Sequence, residues 1–453
     1  MPLGKPAAAW GVTLAAAGFF LAGCTSGPSA SSRKAINGLM AQENFAGAEQ
    51  YIDHLKDSQY KKKNMVLYYL DKGLVEHHEG KYKESDESLD TAERRMEELY
   101  TASVSRTAGM FVLNDNTSEY AGEPFEHALT NVFRALNYVF MGQLDDALVE
   151  SRKVEQFLQE LNDKLGGKKV YKDDAFAHYL NSMLFADEGK MDDARISLQA
   201  ANDAYGWYVK DYNTPLPHFD FPASKDDHGE LVFIHYNGVS PRKFSRTYQI
   251  AWGQAMSIAQ QSDDPQKQQF NNSLAAGLTG NAITVAFPEY VQDPYAIKSS
   301  EVVVDSGAAS GSTILMEDVT AIAMKGLKDR IDLVRARAIA RATIKFVIAQ
   351  AAAKAVKDTV CRQYGGGSLQ CALAGLTKNV GSAIAAGTEV ADIRSWGTLP
   401  SQIRMSRLKL SPGKHNVLVK FKDASGAVVQ SYEFKDVNIV KSQRTYLSYR
   451  TAL

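Results

Sequence analysis

Between residues 34 and 205 apolar residues recur at helical spacing in units that share one plan, and this constrains the fold more than any other feature of the chain. Phe45, Ala48, Ile52 and Leu55 fall on one helix face. Tyr69, Leu70, Gly73 and Leu74 form a second stripe, followed by a turn at Gly80 and a third stripe of Tyr82, Leu89 and Ala92. Val132, Ala135, Leu136, Val139 and Phe140 precede Gly142, with Leu144, Ala147 and Val154 after it. Phe176, Leu180, Met183 and Leu184 precede Gly189, with Met191, Ala194, Leu198 and Ala201 after it. Each unit reads helix, turn, helix. Five positions past each turn glycine stands a small residue (Ser85, Ala147, Ala194), where two helices must approach closely. Such pairs cannot bury their apolar faces alone and must stack on their neighbours.

The pattern resembles tetratricopeptide repeats. The turn positions Glu43, Gly80, Gly142 and Gly189 are spaced by 37, 62 and 47, against a period of about 34 in that family, and insertions at 101–124 and 161–174 account for the excess. A plain helical bundle would carry the same stripes. The resemblance implies an inner groove able to receive a partner helix or an extended peptide. Tyr120, Phe125, Arg134, Tyr138 and Arg152 are the side chains singled out for partner binding, although each aromatic also suits a core. Insertion 101–124, with Met110, Phe111 and Val112 beside Asn114-Asp115-Asn116, is expected to occupy or line the groove.

Past Gly206 the texture changes to Pro, Asp and aromatic residues and then to strands. Glu230 to Tyr236 is a β-rich run closed by Asn237-Gly238, a hairpin signal. Thr284 to Phe287 and Glu301 to Val304 read as further strands, and a long helix is predicted from about Glu317 to Lys357. Cys371 to Ala386 is rich in Ala and Gly yet carries Lys378, which favours a packed helix over a membrane segment. Ile403 to Leu410, His415 to Phe421, Val428 to Phe434 and Arg444 to Tyr449 read as four short strands. The expected fold class is α+β: a helical repeat solenoid at 34–205, a mixed α/β region at 206–398, and a small sandwich-like β module at 399–453 that packs on the middle region.

At the N-terminus, Ala7 to Leu21 is an uncharged apolar stretch preceded by Lys5. It is too short to span a bilayer and has the layout of a signal peptide. Leu21-Ala22-Gly23-Cys24 resembles the bacterial lipobox, which implies cleavage after residue 23 and lipidation of Cys24. Thr25 stands where an inner-membrane retention signal would have Asp, so the resemblance points to the outer membrane, with 24–33 as a flexible tether. Loss of residues 1–23 leaves 50 basic against 52 acidic side chains. Nucleic acid is an unsuitable partner for such a chain. Cys361 and Cys371 could form a disulfide across nine residues in an oxidising compartment, or remain two thiols.

Gly122-Glu123-Pro124-Phe125-Glu126, Ala135-Leu136-Asn137-Tyr138, Val149-Glu150-Ser151-Arg152, Phe233 to Gly238 with Pro241 and Lys243, Ala286 to Tyr290, and Arg394-Ser395-Trp396 with Leu399-Pro400 together resemble a family of uncharacterised bacterial lipoproteins. The resemblance spans most of the mature chain. It implies a role in envelope or peptidoglycan-synthesis assembly and no catalytic residue.

No motif supplies one either. Gly307 to Gly311 misses the nucleophile-elbow spacing at Ser310 by one residue, and Ser368 lacks a trailing glycine. Gly80-Lys81 and Gly189-Lys190 have no hydroxyl where a phosphate loop needs one. His218, Asp220, Asp226, Asp227, His228 and His235 offer zinc-type ligands in one short stretch, but none shows helical zincin spacing, and a polar connection is the simpler reading. Of these, His218, Asp220, His228 and His235 are the weak metal candidates. Arg337, Arg341 and Lys345 form a basic stripe that reads as a solvated or internally paired helix face. The expected function is a lipid-anchored, non-enzymatic adaptor without cofactor, binding envelope proteins through the groove. A cell-wall or lipid hydrolase would instead need Glu289, Tyr290, His235 and Lys243 to converge in the middle region. A structural subunit of an envelope complex would show large exposed apolar patches.

Overall fold

In the computed structural model, residues 27–105, 118–164, 171–218, 227–251, 282–375 and 390–452 are described. Four helical hairpins come first: α1 (Ala30–Ala41) with α2 (Phe45–Leu55), α3 (Met65–Glu79) with α4 (Tyr82–Ser105), α5 (Pro124–Phe140) with α6 (Leu144–Lys164), and α7 (Ala175–Asp187) with α8 (Met191–Asp211). Four of these starts have a local cause. Ser29, Asn44 and Asp174 accept backbone N–H bonds from Ser32, Gly47 and Ala177, and Glu123 and Glu126 form a reciprocal capping box around Pro124. The ends follow too: Gly80 closes α3 at φ +85°, in a left-handed conformation that Gly142 and Gly189 repeat. The expected close approach is visible where Ser85 Oγ donates to the Gly73 carbonyl at 2.7 Å. Ala147 and Ala194 are fully buried at the equivalent points.

Strand β1 (Gly229–Asn237) is followed by β2 (Arg242–Ala251), β3 (Ala282–Val291), β4 (Ser299–Val304), β5 (Ala309–Ser312) and β6 (Ile314–Asp318). After these come helices α9 (Val319–Tyr364) and α10 (Leu369–Gly375), then β7 (Gln402–Leu410), β8 (Gly413–Lys422), β9 (Val428–Ile439) and β10 (Arg444–Thr451). The last strands do not form a module of their own. One mixed sheet has the order β10-β1-β7-β6, a second has β5-β4-β8-β9, and β2 and β3 form a separate ribbon. The boundary expected at residue 399 therefore falls inside both four-stranded sheets. β1 runs parallel to β10, from Glu230 opposite Arg444 to Asn237 opposite Thr451, and antiparallel to β7.

The Asn237-Gly238 hairpin also fails, because β1 does not pair with β2. The Asn237 side chain instead donates to the Ile297 carbonyl at 3.0 Å and accepts from Thr451 Oγ1 at 2.9 Å. Two further boundaries shift. Helix α1 begins inside the expected tether, and the helical region continues to Asp211.

β1 explains the layering. Val232, Ile234 and Tyr236 join the core of the helical hairpins, whereas Leu231 and Phe233 pack with Val302, Val304, Val417 and Val419 of the second sheet. A strand buried on both faces reads as a continuous apolar run rather than an alternation. The first sheet is thus a middle layer between the helices and the second sheet. The first turns of helix α9 join the main core through Val319, Ile322, Ala323 and Leu327, and its middle packs on the ribbon, with Ala338, Ile339, Ala342 and Phe346 against Ile283, Val285 and Phe287. Among the described residues no helix is long and apolar enough to cross a membrane.

Candidate functional site

The face of the helical stack expected to be a free groove is occupied by the chain itself. Helices α5 and α7 are buried on almost every side, while their partners α6 and α8 keep a solvent face. The covering elements are the first sheet and the segment 394–398. Asp71 of α3 accepts from the Gly397 and Thr398 amides, both at 3.1 Å, from Thr398 Oγ1 at 3.0 Å and from the Tyr60 hydroxyl at 2.7 Å. Glu126 of α5 accepts from the Trp396 amide at 2.7 Å and the Tyr120 hydroxyl at 2.6 Å. His77 bridges Asn137 of α5 and Tyr236 of β1 at 2.6 and 2.9 Å. Glu317 of β6 accepts from Tyr208 and Tyr171 at 2.9 and 3.2 Å. Burial raises Glu126 to about 7, helped by the neighbouring Glu123 charge, and lowers His77 to about 4. These are polar pins between layers, each satisfied by its partners.

The five residues selected for partner binding belong largely to this packing. Tyr120 and Phe125 are buried in the main core. Arg134 is 4% exposed and held by Asp86, Asp90, Glu93 and Glu150, and the half-buried Tyr138 donates to Asp86 at 2.9 Å. Arg152 alone lies on the surface, over the Phe185 ring at 5.0 Å. Cys24 and residues 106–117 of the insertion lie outside the described residues. Cys361 and Cys371 are joined as a disulfide between α9 and α10.

The other candidates scatter. His235 is fully buried between the sheets, bonded to Thr451 Oγ1 at 2.8 Å and Ser300 Oγ at 2.9 Å. His228 is exposed just before the same strand begins, roughly 23 Å away at strand rise. His218 is exposed on another segment, and Asp220 and Asp226 lie outside the described residues. The hydrolase group does not converge either. Lys243 pairs with Glu123 and lies 5.4 Å from the Tyr290 ring, while Glu289 bonds Tyr248 at 3.0 Å and Arg246 at 3.1 Å. Of the basic stripe, Arg337 is exposed and Arg341 is buried, so the two do not share a solvated face; the Lys345 side chain lies outside the described residues. Burial tends to raise Glu123, but Lys243 and Arg330 hold its carboxyl far below the usual range.

Among the described residues one cavity, of about 570 Å³, is lined by Tyr179, His218, Glu230, Ser310 and Arg407 among others, and two more lie either side of it in size. The larger, of about 800 Å³, lies between α1 and β2 and is lined by Arg33, Lys34 and Asn37 on one side and by Val239, Ser240 and residues 242–245 on the other. Consecutive strand residues point to opposite faces, so a lining that includes four in a row meets the strand's edge. Among the described residues β2 pairs with β3 alone, which leaves that edge unpaired. Arg242 is held by Asp293 at 3.0 Å, whereas Arg33 and Lys34 make no ion pair among the described residues. Arg33 does donate to Ser395 Oγ at 3.2 Å.

The smaller cavity, about 360 Å³, lies among α4, α5 and α6 and is lined by Glu93, Glu97, His127, Asn131, Lys153 and Glu160, with four further residues. One ligand atom each from Glu93, Glu97 and His127 lies within 4.8 Å of the others. Burial lowers His127 to about 4, so its ring is neutral at pH 7. Sequence reasoning misses this cluster. Glu93 and Glu97 have the i, i+4 spacing of a helical ligand pair, but His127 belongs to the next helical hairpin. No family model, curated protein or solved structure matches the chain.

Proposed function

We propose that this protein is a non-enzymatic, lipid-anchored adaptor of the bacterial envelope, held at the outer membrane through Cys24, and that its partner docks in the cleft beside α1. The four hairpins are read as tetratricopeptide-like units and the two facing sheets as a sandwich, with the stack serving as a frame because its inner face is filled. One observation carries the reading: a cleft of about 800 Å³ combines an edge of β2 that no other strand pairs among the described residues with the cations Arg33 and Lys34. An unpaired edge offers main-chain donors and acceptors to an added strand, and alternate side chains of that strand fill the pockets beside it. The two positive charges select acidic side chains in the guest. The occupant is therefore an extended segment of a partner protein carrying Asp or Glu.

The cleft also fits an anchored protein. Pro28 lines it, and four residues of chain from Cys24 span at most about 14 Å. A partner taken up there is held beside the membrane surface, as envelope assembly requires.

Site-specific photo-crosslinking in intact envelopes tests this, with the probe at Lys34, Asn37 or Phe244 and at Arg152 as an outer-face control. The expected result is one adduct species from the cleft positions alone, mapping by mass spectrometry to an acidic, extended segment and lost with Arg33→Glu. Adducts only from the control position, or none from the cleft, would refute the reading.

A further inference from the structure

We infer that Glu93, Glu97 and His127 form a binding site for a divalent transition-metal ion, of which Zn²⁺ is the best-matched class, in the cavity among α4, α5 and α6. The inference is independent of the adaptor reading and of the cleft beside α1.

His127 is the decisive residue. Its side chain is on the first turn of α5, is 8% exposed and faces the cavity. Its ring packs against Phe157 with centroids 3.9 Å apart. It makes no hydrogen bond among the described residues, although an imidazole has one donor and one acceptor to satisfy. Its ring nitrogens are not among the fully buried polar atoms that lack a partner; they meet the solvent of the cavity, where an ion can take the place of water. Across the cavity from it are two carboxylates one helical turn apart on α4, with ligand atoms within 4.8 Å of the ring and of each other.

The surroundings suit an ion. A tetrahedral site with bonds of about 2.0–2.1 Å places its ligand atoms about 3.4 Å apart. The three ligand atoms lie within 4.8 Å of one another and must draw closer, and Glu97, which is exposed and makes no ion pair among the described residues, can rotate to help close the site. Glu93 is already oriented, because Asn131 donates to it at 2.8 Å and Arg134 pairs with it. Such outer contacts fix a ligating carboxylate in place. Imidazole with carboxylates favours Zn²⁺ over Mg²⁺ or Ca²⁺, which prefer oxygen alone. Three protein ligands leave a coordination position for water or a further donor from the cavity.

Two cations, Arg134 and Lys153, already pair with Glu93, and of these Lys153 lines the cavity and competes there. Lys153 Nζ lies 3.5 Å from Glu93 and 3.0 Å from Glu150. Metal entry displaces it toward Glu150, so removing its charge should tighten binding.

The test is equilibrium dialysis of the full mature chain against ZnCl₂ with metal analysis, with MgCl₂ as comparison. The wild type should bind one Zn²⁺ and no Mg²⁺ at the same concentration. Glu97→Gln, which changes only an exposed carboxylate and leaves the fold intact, should weaken Zn²⁺ binding at least tenfold, as should His127→Phe, which keeps the packing on Phe157. Lys153→Met should tighten it severalfold. Absence of stoichiometric Zn²⁺ in the wild type, or Zn²⁺ affinity unchanged by Glu97→Gln, would overturn the assignment.

Discussion

Asp71→Ala should detach the 394–398 segment from the helical stack. Asp71 accepts four hydrogen bonds, from the Gly397 and Thr398 amides and from the hydroxyls of Thr398 and Tyr60. The hydroxyls can turn to other acceptors, but the two amides are fixed by the backbone. Leaving a buried donor unsatisfied costs about 1–3 kcal/mol each, which gives about 2–6 kcal/mol for the pair. Against this stands the cost of burying Asp71 itself, visible in a carboxyl raised above its usual range by desolvation. The net loss expected is about 3 kcal/mol. Asp71→Asn keeps an acceptor oxygen for the amides and turns an NH₂ toward Tyr60, whose hydroxyl can reverse its role, so it should cost about 1 kcal/mol. Urea titration at pH 7 measures both as midpoint shifts at constant slope. If Asp71→Ala costs less than about 1 kcal/mol, or no more than Asp71→Asn, the segment is not pinned by these bonds and the account of the filled groove is wrong.

The other interlayer contacts carry expectations of their own. Glu126 is raised from 4.5 to about 7 in the folded protein. Below pH 4.5 both folded and unfolded forms are protonated; above it the unfolded chain loses its proton first, so stability falls as pH rises to 7 and the cost is complete beyond. A shift of this size corresponds to about 3 kcal/mol, and Glu126→Gln should remove that fall from a series of urea titrations between pH 4.5 and 8. A Cβ at Gly73 would come 2.8 Å from Leu89 Cγ, whereas one at Gly38 meets nothing within 4 Å. Gly73→Ala should therefore destabilise by about 1–2 kcal/mol despite its better helix propensity, and Gly38→Ala should stabilise by about 0.5–1 kcal/mol, both read from thermal unfolding. Reducing the Cys361–Cys371 bond opens a loop of about ten residues, worth about 2–3 kcal/mol; amide exchange should quicken at the end of α9 and in α10.

The helical hairpins were legible because their signals are local. The stripe through Leu70, Gly73 and Leu74, the turn at Gly80 and the small residue Ser85 lie close together in the chain, and backbone geometry links them without reference to the rest of it. The long helix and most strand segments were legible for the same reason. The two candidate sites were not. Lys34 and Phe244 come together from opposite sides of the whole helical region, and His127 meets Glu93 only after α4 and α5 are packed.

Local chemistry thus set the secondary elements, the order of the four hairpins and the α+β class, since periodicity and turn signals act over a few residues. Which strand pairs with which was left to long-range packing: Glu230 lies opposite both Arg444 and Lys409, a choice that Asn237-Gly238 misrepresented as a local hairpin. The filling of the groove was settled at the same level. An apolar face on α5 or α7 records only that something covers it, and the identity of the cover depends on contacts far away in the chain, where hydrophobic burial is strong but carries no directional label.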